Sequence, residues 1–270
     1  VSMFNLLRMD LYRVKRSKSV YICFGTLLAA TVFVFGMMWL LATPQGQEIS
    51  LRIGMLSANE VNESDYILEG YDSLIFYRDI CLDGGAYNLI FGIWVMLFVC
   101  ADFQSGFIKN VMALHQNRWN YIGSKVMTAW IVDFCYLVLN LLAVLLLNRM
   151  CGDMVPYAGW TEILFYLSWI WFVTTAFAAL IIFICVLTRS VAAGSLAAFL
   201  FGSGAVVRLL LGILNMFHKG EWLKYSISMT CELGPEKYTS VKDLYVYAVG
   251  FGFLILYTML AGIVMKKKDI

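Results

Sequence analysis

The chain has 270 residues, 61% hydrophobic and 14% charged, with a mean hydropathy of +0.77 and a formal net charge of +2. Soluble domains carry about 25% charged and 45–50% apolar residues, so this composition excludes an ordinary soluble domain. The near-neutral balance leaves no electrostatic footprint for a nucleic acid, and none is expected as a partner.

A spanning helix needs about 20 mostly apolar residues. Six runs meet or approach that length, at 20–42, 85–101, 126–148, 161–187, 191–217 and 243–265. The expected fold class is an all-α polytopic membrane protein, one transmembrane domain over 1–270 with six transmembrane helices. The runs are continuously apolar rather than alternating, which excludes an outer-membrane barrel. Arg8, Arg13, Lys15, Arg16 and Lys18 precede run one, and Lys109, Arg118 and Lys125 follow run two. Arg189 lies between runs four and five, and Lys266, Lys267 and Lys268 close the chain. The other connectors are acid-rich, above all 43–84 with Glu48, Glu60, Glu63, Asp65, Glu69, Asp72, Asp79 and Asp83. The bias of basic residues puts both termini in the cytoplasm, the arrangement that six crossings also require.

Val1-Ser2 ahead of Met3 read as an expression remnant and are set aside. Over 3–18, Phe4, Leu7, Leu11 and Val14 recur at three- and four-residue spacing among basic residues. That pattern suits an amphipathic elbow helix lying in the membrane interface, or else a positive tail that only sets topology. The first apolar run is too long, and lacks the small-residue site, for a cleavable signal peptide. It stops at Thr43-Pro44, because proline cannot continue a helix. Segment 43–84 is too long and too apolar for a passive connector, so short helices forming an external cap are expected there. Its Asn62-Glu63-Ser64 matches a glycosylation sequon, a match so short that chance explains it. Run two spans about 17 residues, roughly 25 Å of helix.

Segment 102–125 lies between two apolar runs and carries Asp102, Lys109, His115, Arg118 and Lys125, charges expected to sit in water. Within it Phe107, Val111 and Leu114 share one face and Lys109 and Asn110 another. A helix this short is marginal in isolation and needs something to pack against. Run three places Asp133 about two turns inside the membrane, followed by Asn140, and run four is rich in aromatic residues that anchor helices and fill bundle contacts. In run five Gly194, Ala198 and Gly202 recur every four residues, a small-residue face for close helix packing, with the partner left open between this chain and a second copy. Segment 218–242 reads as a short hydrophobic helix and a turn before run six.

Chemistry-bearing motifs are sparse. There is no phosphate-binding GxxxxGK[ST], no HExxH and no CxxC, and only two histidines, so neither a catalytic residue nor a metal site is expected. Seven cysteines are present; Cys81, Cys151 and Cys231 fall in or near connectors, which leaves open a disulfide among them. Asp133 and Arg208 are charges at bilayer depth, either lining a translocation path or held by intramembrane pairing or snorkelling.

The layout resembles the membrane subunit of an ABC-2 type exporter. The resemblance is carried by NLLRMDLYRVKRSKSVY before run one and ADFQSGFIKNVMALHQNRWNYIGSK between runs two and three. The second is similar to a family pattern of an acid, then Gly-Thr-Ile-Lys-Asn, then a basic and aromatic stretch leading to Ser-Lys. Here Asp102 stands for the acid, Phe107 replaces the threonine, and Ile108, Lys109 and Asn110 match. The resemblance implies a bacterial plasma-membrane permease that is not itself an enzyme. Two copies would form the path, each with a separate cytoplasmic ATPase that binds ATP-Mg, so no cofactor is held directly. Phe107, Ile108, Lys109, Asn110, Val111, Met112 and Leu114 would form the coupling helix, and 218–242 the external gate. The cargo class would be an amphipathic or hydrophobic substrate such as a toxin or antimicrobial peptide. The alternatives are a stand-alone carrier or channel, and a peptide sensor or immunity protein without transport.

Overall fold

A computed structural model describes residues 3–53, 70–109, 118–216 and 220–267. Among them the fold is all-helical, without strands. In chain order the α-helices are α1 (Met3–Arg16), α2 (Lys18–Ala42), α3 (Pro44–Arg52), α4 (Ser73–Tyr77), α5 (Ala86–Gln104), α6 (Arg118–Met150), α7 (Trp160–Thr188), α8 (Val191–Gly202), α9 (Ala205–Met216), α10 (Ile227–Leu233) and α11 (Tyr245–Lys267). Five stretches are long and apolar enough to cross a membrane, or six if the bent pair α8–α9 counts as one. Phe33, Leu142, Leu146, Ile255 and Met259 are exposed on these helices, as lipid-facing residues of a multi-pass membrane protein would be.

α7 is the hub. Trp169, Ile170, Val173, Ala176 and Ile181 on it are fully buried. α11 lies along it with the Phe172 and Phe251 rings 4.2 Å apart. α6 is fastened to its neighbours by polar contacts inside the bundle. The Tyr136 hydroxyl donates to Val20 O on α2 at 2.5 Å. Thr31 on α2 donates to Asn140 Oδ1 at 3.0 Å, while Asn140 Nδ2 donates to Cys81 Sγ at 3.2 Å. In an apolar surrounding such groups must find internal partners, so they fix register as well as proximity.

Three expectations need correction. The run expected to start at 126 is the back of a 33-residue helix that begins at Arg118. Segment 43–84 is not an external cap throughout: after Thr43 caps α3, that helix folds back onto the end of α2, with Ser50 Oγ donating to Leu40 O. Its later part is core, since Leu74, Phe76, Tyr77 and Leu82 are wholly buried and lead into α5, and 54–69 lie outside the described residues. Run five is not one straight helix. α8 and α9 meet at 53°, because Gly204 takes φ +69°, which ends α8 and restarts the chain in a new direction. The disulfide left open among Cys81, Cys151 and Cys231 is not formed; all three are free thiols.

The small-residue face does find its partner, and it is α5 of the same chain. A Cβ added at Gly202 would stand 2.8 Å from Leu89 Cα, and one at Gly194 2.6 Å from Met96 Cγ. Ala198 packs where α5 has Gly92, whose added Cβ would be 3.2 Å from the Ala198 Cβ. Only small residues permit that approach.

Candidate functional site

The site lies at the bundle end that holds both described chain ends, called here the terminal end. α1 is amphipathic as expected, but only half of the expected apolar face is buried. Leu6, Leu7, Asp10 and Val14 are buried, whereas Phe4 is 70% exposed and Leu11 is half-buried. The difference follows from Asp10, which turns inward to meet α6. Ser124 Oγ donates to Asp10 Oδ2 at 2.5 Å and Lys125 Nζ to Asp10 Oδ1 at 2.8 Å.

Lys125 and Asp102 were expected in water, and both are buried. Lys125 Nζ lies 2.7 Å from Asp102 Oδ2, with 1% and 0% of the two side chains exposed. Its ammonium also stands 4.1 Å from the centre of the Phe98 ring. Tyr121 donates to Asp102 Oδ2 at 3.0 Å, and Arg13 Nη2 to Asp102 Oδ1 at 2.6 Å. Two acids thus face two bases, and each acid has at least two hydrogen-bond donors. Burial works against the charged Arg13, yet the hydrogen bond and charge of Asp102, helped by Asp10, hold its pKa above the ordinary guanidinium value. The cluster binds α1, the end of α5 and the start of α6 into one unit.

Phe107, Ile108 and Lys109 begin a helical turn just beyond α5. The Arg13 guanidinium carbon lies 4.6 Å from the centre of the half-buried Phe107 ring. Ile108 is only 3% exposed, so it packs into its own chain and is not free to meet a partner. Lys109 is exposed. Asn110, Val111, Met112 and Leu114 lie outside the described residues, as does His115. On the other flank, Arg118 Nη1 donates to Met265 O at 2.8 Å and to Lys266 O at 3.1 Å, tying the start of α6 to the end of α11.

Asp133 and Arg208 do not pair. Asp133 is wholly buried; its Oδ1 accepts from Tyr87 at 2.7 Å, and its Oδ2 from Thr174 at 2.7 Å and Thr175 at 2.8 Å. No lysine or arginine among the described residues forms an ion pair with it. Arg208, on α9, lies half-exposed and reaches Glu232 Oε1 on α10 at 3.1 Å. Gly194, Ala198 and Gly202 form a packing seam against α5 and are not part of the charge cluster.

Asp10, Tyr121, Ser124, Tyr87, Thr174 and Thr175 were not singled out from the sequence. Asp10 carried a readable signal: it sits three residues after Leu7 and four before Val14, an acid on the apolar face. The hydroxyls carried none, since serine, threonine and tyrosine are common in such helices. No protein-family model matches the chain, and no curated protein is significantly similar to it.

Proposed function

We propose that this chain is the membrane subunit of an ATP-driven exporter of the ABC-2 type. It works as a pair of copies with a separate cytoplasmic ATPase on each and moves an amphipathic cargo, a peptide on the reading the resemblance favours. In this reading the terminal end faces the bacterial cytoplasm and α1 lies in the inner interface. ATP-Mg stays in the partner, and a displacement of the partner reaches the membrane through the segment that opens at Phe107.

The observation that carries the proposal is the path of contacts from Phe107 through Arg13 to Asp102, and from there through Lys125 to α6 and α1. A force applied at Phe107 meets a charge-locked unit rather than a loose loop, so it moves α5 and α6 together. α8 follows, because its small-residue seam lies on α5. Carrying Phe107→Asp and Lys109→Glu together, the tagged chain is expected to insert normally but to lose the ATPase that co-purifies with the native chain, read by mass spectrometry. Undiminished co-purification overturns the proposal.

One observation favours a second reading, a proton-coupled carrier acting alone. Asp133 is surrounded by hydroxyls with no paired cation among the described residues, and Thr174 Oγ1 also lies 2.8 Å from Ile170 O. A proton taken up by Asp133 can therefore be donated to Thr174 while Thr174 donates to Ile170, with nothing repacked. Transport by the purified chain in vesicles without nucleotide selects that reading over the first.

A further inference from the structure

α1 lies across the end of the bundle rather than along it. A Cβ added at Gly123 would stand 3.0 Å from Met3 Sδ, and the next residue of α6, Ser124, donates to Asp10. The step from Met3 to Asp10, about 10 Å of helix, thus covers neighbouring positions of α6. Further along α1, Arg13 reaches Asp102 at the end of α5. The apolar run of α6 opens at Val126 and that of α2 at Val20, so α1 sits at the level where two spans turn apolar. In a bundle that crosses a membrane, that level is the interface.

With Leu6, Leu7, Asp10 and Val14 turned to the bundle, an arc of about 120° faces outward, counted at about 100° per residue. Around it come Phe4, Lys15, Arg8, Tyr12, Asn5 and Arg16, all exposed, and Lys18 adds an exposed cation at the start of α2. Phe4 and Tyr12 are 70% and 55% exposed, and the Arg16 guanidinium carbon lies 4.4 Å from the centre of the Tyr12 ring. The Tyr21 hydroxyl of α2 donates to Lys15 O at 2.8 Å, which pins the end of α1. Asn5, Arg8, Met9 and Tyr12 line a shallow groove on the same face.

No acid balances these cations. Among the described residues at this end the acids are Asp10 and Asp102, both buried and engaged with Lys125 and Arg13. Arg8, Lys15, Arg16 and Lys18 form no ion pair among the described residues. A topology signal needs only basic residues on one side of the membrane. It does not need them fixed on one arc with aromatic rings between them. Anionic lipid headgroups supply the missing charge at this level, and each basic residue near such a surface changes binding about fivefold.

We propose that this face of α1 binds anionic phospholipid headgroups, with Arg8, Lys15, Arg16 and Lys18 meeting the phosphates and Phe4 and Tyr12 seated at headgroup level. The proposal rests on α1 lying at a membrane surface, as in the reading above, and not on an ATPase. The opposite face of α1 carries Asp10 into the buried cluster, so bound headgroups bear on the unit that joins α5 to α6.

The test uses the full chain in phosphatidylcholine vesicles holding a trace of spin-labelled phosphatidylglycerol or spin-labelled phosphatidylcholine. Electron paramagnetic resonance reads the share of each label immobilised against the protein. Phosphatidylglycerol is expected to be held about two- to fivefold more strongly, and the preference to disappear in about 1 M salt, where the screening length is near 3 Å. Arg8→Gln with Lys15→Gln is expected to lower the preference by half or more, and adding Arg16→Gln and Lys18→Gln to bring it near one. Lys266→Gln with Lys267→Gln removes two exposed cations of the same end that lie off the arc, and is expected to leave the preference intact. Equal retention of the two labels by the native chain overturns the proposal, and the cations then only set topology. So does an equal loss in the Lys266–Lys267 pair and the Arg8–Lys15 pair. ATPase co-purification is not part of the readout, so the two proposals fail separately.

Discussion

The two ends of the bundle are both held by networks of opposite charges, yet they are built differently. At the terminal end Asp10, Asp102 and Lys125 are almost wholly inside, and only Arg13, at 34% side-chain exposure, touches the surface. At the far end Lys237 lies 3.3 Å from Asp72 and 3.4 Å from Glu162 with about half its side chain exposed. Arg78 there bridges Asp79 and Glu236. Interatomic distance hardly separates the two networks; burial does. Removing charges from water is expensive, and their attraction repays that only when every group is satisfied, so a buried network is poor evidence of net stability but is costly to break. An exposed pair typically contributes only about 0–1 kcal/mol. The terminal end therefore fixes which residues of α1, α5 and α6 face one another, while the far end decorates helices already held by their cores.

Breaking the contrast at its strong side gives the largest expected effect. Lys125→Met leaves two buried carboxylates with one partly exposed arginine, and is expected to destabilise the protein by about 3–5 kcal/mol. Thermal unfolding in detergent checks it. Adding Asp102→Asn to Lys125→Met is expected to recover part of the loss, because one of the stranded charges is then gone. If the double variant is worse than the single one by the full cost of a second lesion, the two residues are not acting as a pair.

Asp133 sharpens the comparison by separating burial from charge pairing, since it is as enclosed as Lys125 but its partners are hydroxyls. Asp133→Leu removes the acceptor of Tyr87, Thr174 and Thr175. Thr174 keeps Ile170 O and Tyr87 keeps the backbone carbonyl of residue 133, at 3.2 Å, as alternatives, so one donor, Thr175, is stranded. The expected loss is about 1–3 kcal/mol, smaller than for Lys125→Met. Asp133→Asn retains an acceptor and is expected to cost less than Asp133→Leu by the same melting measurement. Equal losses would mean that packing volume, not hydrogen bonding, decides the site.

How much of this was legible in the sequence depends on how local the cause is. The long apolar helices, the stop at Thr43-Pro44 and the amphipathic α1 follow from residue type and period, and they were readable. Lys125 and Asp102 were not: each reads as a loop charge next to an apolar run, and only Asp10, more than 90 positions away, explains why both turn inward. The bend at Gly204 was hidden because Gly202, Ser203 and Gly204 also fit a small-residue packing face, and choosing between seam and hinge needs Ser228 and Glu232 in place. In the stretch after α5, Ile108 was grouped with surface residues because a motif fixes residue types and spacing, while burial depends on how the turn leaves α5.

At the weak side of the comparison the expected change is smallest. Lys237→Met takes away the cation shared by Asp72 and Glu162, but both carboxylates keep water and other donors, among them Leu74 N and Ile75 N for Asp72 and Gly159 N for Glu162. The hydrogen bonds to Asp72 and then Glu162 raise the Lys237 pKa above the ordinary lysine value. The sign follows from that direction: the pairing contributes fully below the unfolded-state pKa and is lost as pH rises through the raised one, so it is constant across neutral pH. The melting temperature of Lys237→Met is therefore expected to fall by a small fraction of the Lys125→Met shift at neutral pH. That remainder is expected to vanish in about 1 M salt, where the screening length is near 3 Å, while the Lys125→Met shift persists because no salt reaches it. If salt erased both shifts alike, the terminal cluster would be open to solvent, and burial would no longer be what separates the two ends.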